Sequence, residues 1–513
     1  MRPRSVAPVQ AYHLAAPGAW RLWCIFFAYS AVVALLVQLV VLPYILPAIH
    51  DGHGLLVEGD WVYHHGRSAD LAQRVLTEGW STWRLRPQGE HALHGVVSAV
   101  YAVTVAEPWT LIPLHAALHA TSALVLMWVV AMLVPSGRHA LLAALPFLLF
   151  PSAMIGYTQV AKDVYTICGG FLFLYGWLLL AECRTRWPGW RAALTVIALI
   201  VGGTTLSWSM RPYTVYILQG IATLFAVMLS ARNVAAVRRE SVAVVVRGLT
   251  ASTSAWSVVL LLFTLFTGAG MYLEEAPAPN ESSAVSPPRT MAETVREPVV
   301  SPDRESTQSE FEGAPALPDN TSRATLAESE FEGAPALPES DEPWTELELL
   351  PGVLRDALYS VSAIRLRWVS NEGNSTIDLS FMPESSTDML RYLPRAMVVA
   401  FLSPFPYHWF QPGSIPSTTL MRRITGVEML LVYVAWLSLA VVAWLWRSRI
   451  ELWLILVYSL VNILVWTFAI PNLGTLYRVR YGPLMLLVGL GLAGGAAALS
   501  GRRLAGQSTS QSP

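Results

Sequence analysis

Apolar runs of about 20 residues recur along the chain, and they constrain its fold more than any other feature. A helix of roughly 20 apolar residues spans the ~30 Å hydrocarbon core of a bilayer. In lipid, only helices and closed barrels satisfy their own backbone hydrogen bonds. The runs lack the alternation of barrel strands, and the chain is 54% hydrophobic and 13% charged. We therefore predict an all-α integral membrane protein with roughly 10 to 12 transmembrane helices.

Ten spans are clear from hydropathy. They cover roughly residues 22–45, 109–134, 139–158, 164–182, 190–207, 211–230, 251–273, 426–446, 450–470 and 480–499. The first has no small-residue cleavage pattern and is long for a signal peptide, so we interpret it as an uncleaved anchor. The stretch 93–107 is short and ends at Glu107 and Pro108, which favours a re-entrant or interfacial helix over a crossing.

The arginines predict which side each loop faces, because short cytoplasmic loops carry an excess of basic residues. With the N-terminus inside, the arginine-rich loops fall in the cytoplasm. The segments predicted on the outer face are then 46–92, the Lys162–Asp163 turn, 209–212, 274–425 and 472–480. This pattern predicts a multi-pass protein of the plasma (bacterial inner) membrane whose functional site faces the outside.

The chain is predicted to have five parts. These are an N-terminal transmembrane module at 1–275 with the first outer loop 46–92, a disordered linker at 276–344, a small outer element at 345–425 that ends in an interfacial helix, C-terminal transmembrane helices at 426–501, and a cytoplasmic tail at 502–513. The linker is rich in proline and acidic residues and contains SEFEGAPALP twice. Such a composition buries too little apolar surface to offset the entropy of folding. The alternative is a docking tail for a partner in an envelope-biosynthesis complex.

Charged residues where spans meet the outer surface are candidates for function, because charge at membrane depth is costly. Lys162 is the only lysine in the chain, and Asp163 follows it. Arg211, Arg478 and Arg480 lie at the ends of other spans on the same predicted face. The alternative is that each arginine only extends its head group to the interface.

The first outer loop supplies the acidic groups. Its stretch EGDWVYHHGRSAD contains Glu58, Asp60, Tyr63 and His64. A carboxylate can take a proton from an acceptor, and cations can stabilise a departing phosphate. Arginine binds phosphate through two donors, and lysine acts as a compact point charge. This combination favours transfer of a sugar from a lipid phosphate at the outer leaflet.

Several stretches resemble the polytopic GT-C glycosyltransferases, which use polyprenyl-phosphate sugars. Asp60 in GDWVYHHGRSADLA matches the acidic position that follows the first span in that superfamily. Pro151, Ser152, Lys162 and Asp163 carry a second match. The stretches SWSMRPYTVYIL and PNLGTLYRVRYGPLMLL resemble later elements of bacterial polysaccharide-cluster relatives. The adjacent Asp-Glu pair of the protein mannosyltransferases is absent here, which leaves Glu58 as the alternative base.

The resemblance implies an inverting membrane glycosyltransferase. It would move a sugar from a polyprenyl-phosphate donor to a glycan, lipid or protein acceptor of the cell envelope. Asp60 would be the base, and the donor phosphate would be held by Lys162, Arg211, Arg478 and Arg480. The supporting residues would be Glu58, Tyr63, His64 and Asp163. The alternatives are a polysaccharide polymerase or ligase, a transporter of lipid-linked sugars, and a non-enzymatic assembly subunit.

Histidine and cysteine usage bear on metal sites. Six of the 11 histidines lie between His50 and His94, and histidine is a common metal ligand. One interpretation is a divalent cation that bridges Asp60 and the donor phosphate; the other is a polar interfacial loop, and no metal ligand is assigned. The three cysteines have no ligand spacing, which predicts neither a disulfide framework nor a zinc site. The net charge of −1 implies no nucleic-acid partner.

Overall fold

The computed structural model describes residues 17–57, 59–87, 91–134, 136–182, 190–235, 242–274, 352–370, 376–413 and 416–509. In this part of the chain nearly all regular structure is helical. Nine of the described helices are long and apolar enough to cross a membrane, and a bent pair of helices raises the number to as many as ten. The ten predicted spans correspond to these nine helices and the bent pair. The prediction of an all-α, multi-pass membrane protein is confirmed.

In the part of the chain up to residue 274, the structure describes ten helices. They are α1 (Pro17–Leu36, continued by a π-helical segment at Val37–Ile45), α2 (Asp60–Glu78), α3 (Ala92–Val103), α4 (Ile112–Ala131), α5 (Gly137–Leu149), α6 (Pro151–Thr158), α7 (Asp163–Glu182), α8 (Trp190–Met210), α9 (Thr214–Ala235) and α10 (Val242–Glu274). With only 12 residues, α3 is too short to cross a bilayer. It packs on α2 instead.

A short hairpin lies between α1 and α2. Its strands β1 (His50–Gly52) and β2 (Leu55–Leu56) are antiparallel, and the first residue of β1 faces the last residue of β2. Gly54 in the turn has a φ of 73°, and a Cβ there would lie 2.8 Å from the backbone oxygen of Gln38. Glycine is therefore required where the hairpin packs against the end of the first span.

From residue 352 onward, the structure describes six further helices. They are α11 (Gly352–Ser370), α12 (Ser386–Leu402), α13 (Pro416–Leu445), α14 (Ile450–Ala469), α15 (Leu473–Val479) and α16 (Tyr481–Thr509). Three helix ends in this half differ from the predicted bounds. Helix α13 begins at Pro416, ahead of 426, α12 ends at Leu402 within the predicted outer element 345–425, and α16 extends past 502. The division of the chain into five parts stays a prediction. The predicted linker 276–344, with its repeat, lies outside the described residues.

The span predicted as continuous at 139–158 is broken. Helices α5 and α6 meet at an angle of 67°. Pro151 begins α6, and Phe150 before it is extended, with φ −65° and ψ 128°. Proline disfavours helical geometry at the preceding residue, so the break falls at that position. The N-terminus of α6 is thereby exposed to side-chain partners inside the bundle.

The main core packs helices of both halves together. It contains the buried faces of α4, α5, α7, α13, α14 and α16. Helices α7 and α8 approach closely at Gly169 and Gly203, where an added Cβ would meet the opposing backbone oxygen at 2.6 Å or less. Small residues at such crossings allow the backbones of membrane helices to pack tightly. The described spans therefore form one helical bundle, and the connections at one of its ends form the site described next.

Candidate functional site

Four charged side chains from distant segments form a continuous chain at one end of the bundle. The guanidinium of Arg478 lies 2.6 Å from Oδ2 of Asp60. Its Nε lies 3.3 Å from Oδ2 of Asp163. Oδ1 of Asp163 accepts a hydrogen bond of 2.7 Å from Arg211. The structure thus brings together Asp60, Asp163, Arg211 and Arg478, four of the residues singled out from the sequence.

Helix ends position these groups. Asp60 is the first residue of α2, and Asp163 is the first residue of α7. A carboxylate at a helix N-terminus is stabilised by the helix dipole and the open backbone N–H groups. Arg211 follows the last residue of α8, and Arg478 lies in the last turn of α15. All four residues therefore lie where helices begin or end, which is why their charges meet at one end of the bundle.

Burial differs along the chain of charges. The Arg211 side chain is 9% exposed and that of Asp163 is 4% exposed, whereas Arg478 and Asp60 are 27% and 38% exposed. Burial alone would lower the pKa of Arg211, but the adjacent carboxylate of Asp163 outweighs it and the pKa is raised. Asp163 and Arg211 thus form the buried base of the cluster. Asp60 and Arg478 form its accessible end.

A cavity of about 460 Å³ opens beside the accessible end of the cluster. Asp60, Asp163, Arg422 and Arg478 contribute charge to its wall. The wall also contains an apolar and aromatic region formed by Phe147, Tyr157, Val164, Ile167 and Tyr481. Cavities of this size hold small organic ligands, and the few polar groups in them fix the ligand's orientation. The arrangement suits an amphiphilic ligand with an anionic head.

Helix α15, which carries Arg478, is fixed at its start by Asn472. The Asn472 side chain accepts hydrogen bonds from the backbone N–H groups of Gly474 and Thr475 at 3.0 and 3.1 Å. These N–H groups have no partner within the helix, and asparagine is a favoured N-cap for that reason. The backbone beside it is joined to the outer element, because Ile377 N–H donates to Pro471 at 2.8 Å.

The Arg480 side chain contacts the end of a neighbouring helix. Its side chain is fully buried, and it donates to the backbone carbonyls of Val399, Ala400 and Ser403. These carbonyls lie at the C-terminal end of α12, where a helix has no internal donors for its last carbonyls. Arg480 is not among the residues that line the cavity. Its contacts with these carbonyls fix α12 to the end of α15. That Arg480 also holds the donor phosphate stays a prediction.

The role predicted for Lys162, binding of the donor phosphate, stays a prediction. It lies directly before α7 and is half-buried, and its backbone carbonyl accepts a hydrogen bond from Thr166 at 3.2 Å. It neighbours Asp163 in the chain but is not among the residues that line the described cavity. The structure therefore places Lys162 beside the cluster of charges without bringing it to the cavity wall.

Of the supporting residues in the first loop, Tyr63 and His64 are not among the residues that line this cavity. Glu58 lies outside the described residues. Tyr63 and His64 are on α2, and His64 is buried with its Nδ1 at 2.7 Å from Nε2 of His94 on α3. His65 is 2.9 Å from the hydroxyl of Tyr101, and burial lowers its pKa. These histidines join α2 to α3.

No metal centre is apparent in the part of the chain that the structure describes. Within those residues, no three histidine, cysteine, aspartate or glutamate side chains are grouped so that they could hold a metal ion. One interpretation of the sequence, a cation that bridges Asp60 and a phosphate, therefore has no such group of ligands among them.

Sequence reasoning missed several residues of the cavity wall. Arg422 and His408 contribute to it from the second half of the chain. Arg422 lies near the start of α13, so the rule that singled out Arg478 would have found it, had the span been assigned its full length. His119 also lines the cavity, stacked on Tyr157 with ring centroids 4.1 Å apart.

Comparisons with known proteins identify no relative. No protein-family model matches the chain, no curated protein matches its sequence, and no solved structure matches its fold. The GT-C resemblance therefore stays a prediction from short motifs.

Proposed function

We propose that the protein is an integral-membrane glycosyltransferase of the GT-C type. It moves a sugar from a polyprenyl-phosphate donor to a glycan, lipid or protein acceptor of the cell envelope, on the outer face of the plasma membrane. The observation that carries the proposal is the chain Asp60–Arg478–Asp163–Arg211 beside a cavity with an apolar region. A lipid-linked sugar phosphate has the matching parts, a charged head and an apolar tail.

In this proposal, Asp60 is the base and Arg478 binds the phosphate. An acceptor hydroxyl oxygen attacks the anomeric carbon of the sugar, and its proton passes to the Asp60 carboxylate. The bond between the anomeric carbon and the phosphate oxygen breaks, and the lipid phosphate leaves with the electron pair. Arg478 stabilises the negative charge on that phosphate, with Arg422 as a second cation on the cavity wall.

The resting contact between Asp60 and Arg478 fits these roles. At 2.6 Å, base and cation are placed next to each other before any substrate binds. Asp163 lies on the other side of the Arg478 guanidinium and is itself paired with Arg211. Through Asp163, the buried ion pair with Arg211 holds the Arg478 guanidinium beside the cavity. Pre-organised charge of this kind is a large contributor to catalysis.

A matched pair of aspartate variants tests the proposal. Purified protein in lipid nanodiscs is given polyprenyl-phosphate sugars of several hexoses and pentoses, together with lipid and glycan acceptors extracted from an envelope. We expect labelled product from wild type and a loss of about 100-fold or more in Asp60→Asn, because a general base contributes about 10²–10⁴-fold. Asp51→Asn, an exposed carboxylate of the same loop, is the control and should retain the rate.

Other outcomes would support the alternative functions. Full transfer by Asp60→Asn would contradict the base assignment and favour a polymerase or ligase that relies on arginine and histidine. Movement of the lipid-linked sugar across vesicle membranes without a new glycan would favour a transporter. Absence of transfer with every donor would contradict the proposal.

A further inference from the structure

A buried glutamate in the second half of the chain has no part in the chemistry described above. Glu428 belongs to α13 and is 5% exposed. Its Oε2 accepts a hydrogen bond of 2.9 Å from the hydroxyl of Tyr477, and its Oε1 accepts one of 2.9 Å from the backbone N–H of Ser152. Carboxylates within transmembrane helices are rare and tend to mark function, because burying them is costly.

The two partners of Glu428 belong to different elements of the cavity wall. Ser152 is on α6 and Tyr477 is on α15, and both residues line the cavity. Helix α13 itself contributes Met421 and Thr425 to the same wall. Glu428 therefore links three helices that contribute to the cavity wall, although it is not itself among the residues that line the cavity.

Each link has a clear physical effect. Ser152 N–H belongs to the first turn of α6, where backbone donors lack helical partners, so the Glu428 carboxylate satisfies one of them. A negative group at that position is also stabilised by the helix dipole. Tyr477 directly precedes Arg478, so its hydroxyl fixes the rotation of α15.

The rotation of α15 determines where Arg478 lies. This helix has only seven residues, and Arg478 reaches Asp60 and Asp163 from its last turn. A small rotation of so short a helix would lengthen both contacts. The Arg480 guanidinium also lies over the Tyr477 ring at 5.5 Å, which fixes the ring from its other side.

We propose that Glu428 is a positioning residue for the transfer reaction. Through Tyr477 it holds α15 in the rotation that presents Arg478 to the donor phosphate, and through Ser152 it holds α6 against the same cavity. The inference rests on the proposed function, because it concerns the geometry of the phosphate-binding group. It assigns Glu428 no direct contact with substrate.

Tyr477→Phe tests this link with the smallest possible change. It removes the hydrogen bond to Glu428 and leaves the bond to Ser152 and the ring packing in place. A misplaced catalytic contact is expected to be costly, and we expect kcat/KM for the lipid-phosphate donor to fall about tenfold, mainly through the donor KM. Tyr433→Phe is the control. It removes a hydroxyl bond from α13 to the carbonyl of Leu402 and should leave kcat/KM unchanged.

The effect of a substitution at Glu428 on kcat/KM should depend on how many of its two hydrogen bonds the new side chain can still make. In Glu428→Gln, the amide oxygen can still accept from Ser152, and the amide nitrogen can donate to the Tyr477 oxygen. We expect this variant to retain kcat/KM within about threefold. Glu428→Leu loses both bonds and should lose at least as much as Tyr477→Phe.

A double-mutant cycle separates positioning from general destabilisation. In an Arg478→Lys background, Tyr477→Phe should change kcat/KM less than about twofold, because the group that it positions is already impaired. An equal loss in both backgrounds would overturn the proposal, as would wild-type kinetics for Tyr477→Phe. If Asp60→Asn abolishes transfer and Tyr477→Phe does not affect it, only the positioning role fails. If wild type transfers no sugar, both proposals fail.

Discussion

The Arg478 guanidinium lies 2.6 Å from the Asp60 carboxylate, although 418 residues separate the two in the chain. This ion pair joins the start of α2, in the first half of the chain, to the end of α15, near the C-terminus. Both groups are partly exposed beside the cavity, so an anionic ligand can compete for Arg478. In the proposed reaction, donor binding would then release Asp60 from Arg478.

Arg478→Lys should impair transfer although the positive charge is kept. One guanidinium approaches both Asp60 and Asp163, and the single ammonium of lysine lacks the planar fork needed to serve two carboxylates. We expect kcat/KM for the lipid-phosphate donor to fall by about 10- to 100-fold, the scale of one or two charge-assisted hydrogen bonds. Arg391→Lys, on an exposed surface of α12, is the matched control. Unchanged kinetics in Arg478→Lys would argue against a two-carboxylate role.

Asp163→Asn should destabilise the protein. It leaves the Arg211 guanidinium buried without its carboxylate partner, and breaking a buried ion pair costs about 3–5 kcal/mol. The free energy of unfolding can be measured in mixed micelles by titration with a denaturing detergent. The double variant Asp163→Asn with Arg211→Met removes both charges and should be more stable than Asp163→Asn alone. Equal stability of wild type and Asp163→Asn would contradict the assignment of a buried pair.

Arg480→Met should affect stability more than donor binding. The carbonyls of Ala400 and Ser403 would lose the Arg480 donor, whereas that of Val399 keeps the Ser403 N–H at 3.3 Å. Each buried acceptor left unsatisfied costs about 1–3 kcal/mol. Thermal unfolding in detergent would show a lower Tm, while the donor KM of the folded fraction stays within about threefold. Loss of donor binding at an unchanged Tm would instead support the role in phosphate binding that the sequence predicts.

Asp378 should make stability depend on pH. Burial would raise its pKa, but hydrogen bonds from Arg395 and Tyr392 outweigh burial, and the pKa is lowered. Because the folded pKa is below the unfolded value of about 3.9, the stabilisation is fully present above about pH 5 and is lost as the pH falls through the folded pKa. The Tm of wild type should exceed that of Asp378→Asn at neutral pH, and the gap should narrow below about pH 4. A constant gap from pH 7 to pH 3 would contradict this linkage.

Hydropathy was sufficient to locate the spans, because a membrane helix must be apolar along its length. It failed where a helix extends beyond the apolar run. The first turns of α13 contain PSTTLMRRITG, which is too polar to count as a span, yet the helix begins at Pro416. Hydropathy also does not show the partner of the first turn of α6, where the Glu428 carboxylate of α13 accepts a hydrogen bond from Ser152 N–H.

The cluster of charges could be predicted only in part. The topology predicted from the arginines placed these four residues on one face, with Asp60 in the first outer loop and Asp163, Arg211 and Arg478 at the ends of spans. It could not assign different roles to Arg478 and Arg480, because both are arginines and they lie two positions apart at the end of a span. Side chains two apart on a helix differ by about 200° in direction, so one reaches the cluster and the other the interior. That difference depends on tertiary packing.

The most direct measurement is a structure of the protein with a lipid phosphate bound. Electron cryomicroscopy in lipid nanodiscs containing an excess of polyprenyl phosphate would locate the head group. The account predicts phosphate density within about 3 Å of the Arg478 guanidinium, with the isoprenoid chain along the apolar region near Phe147 and Ile167. Phosphate bound elsewhere, with the ion pair between Asp60 and Arg478 intact and the cavity empty, would contradict it.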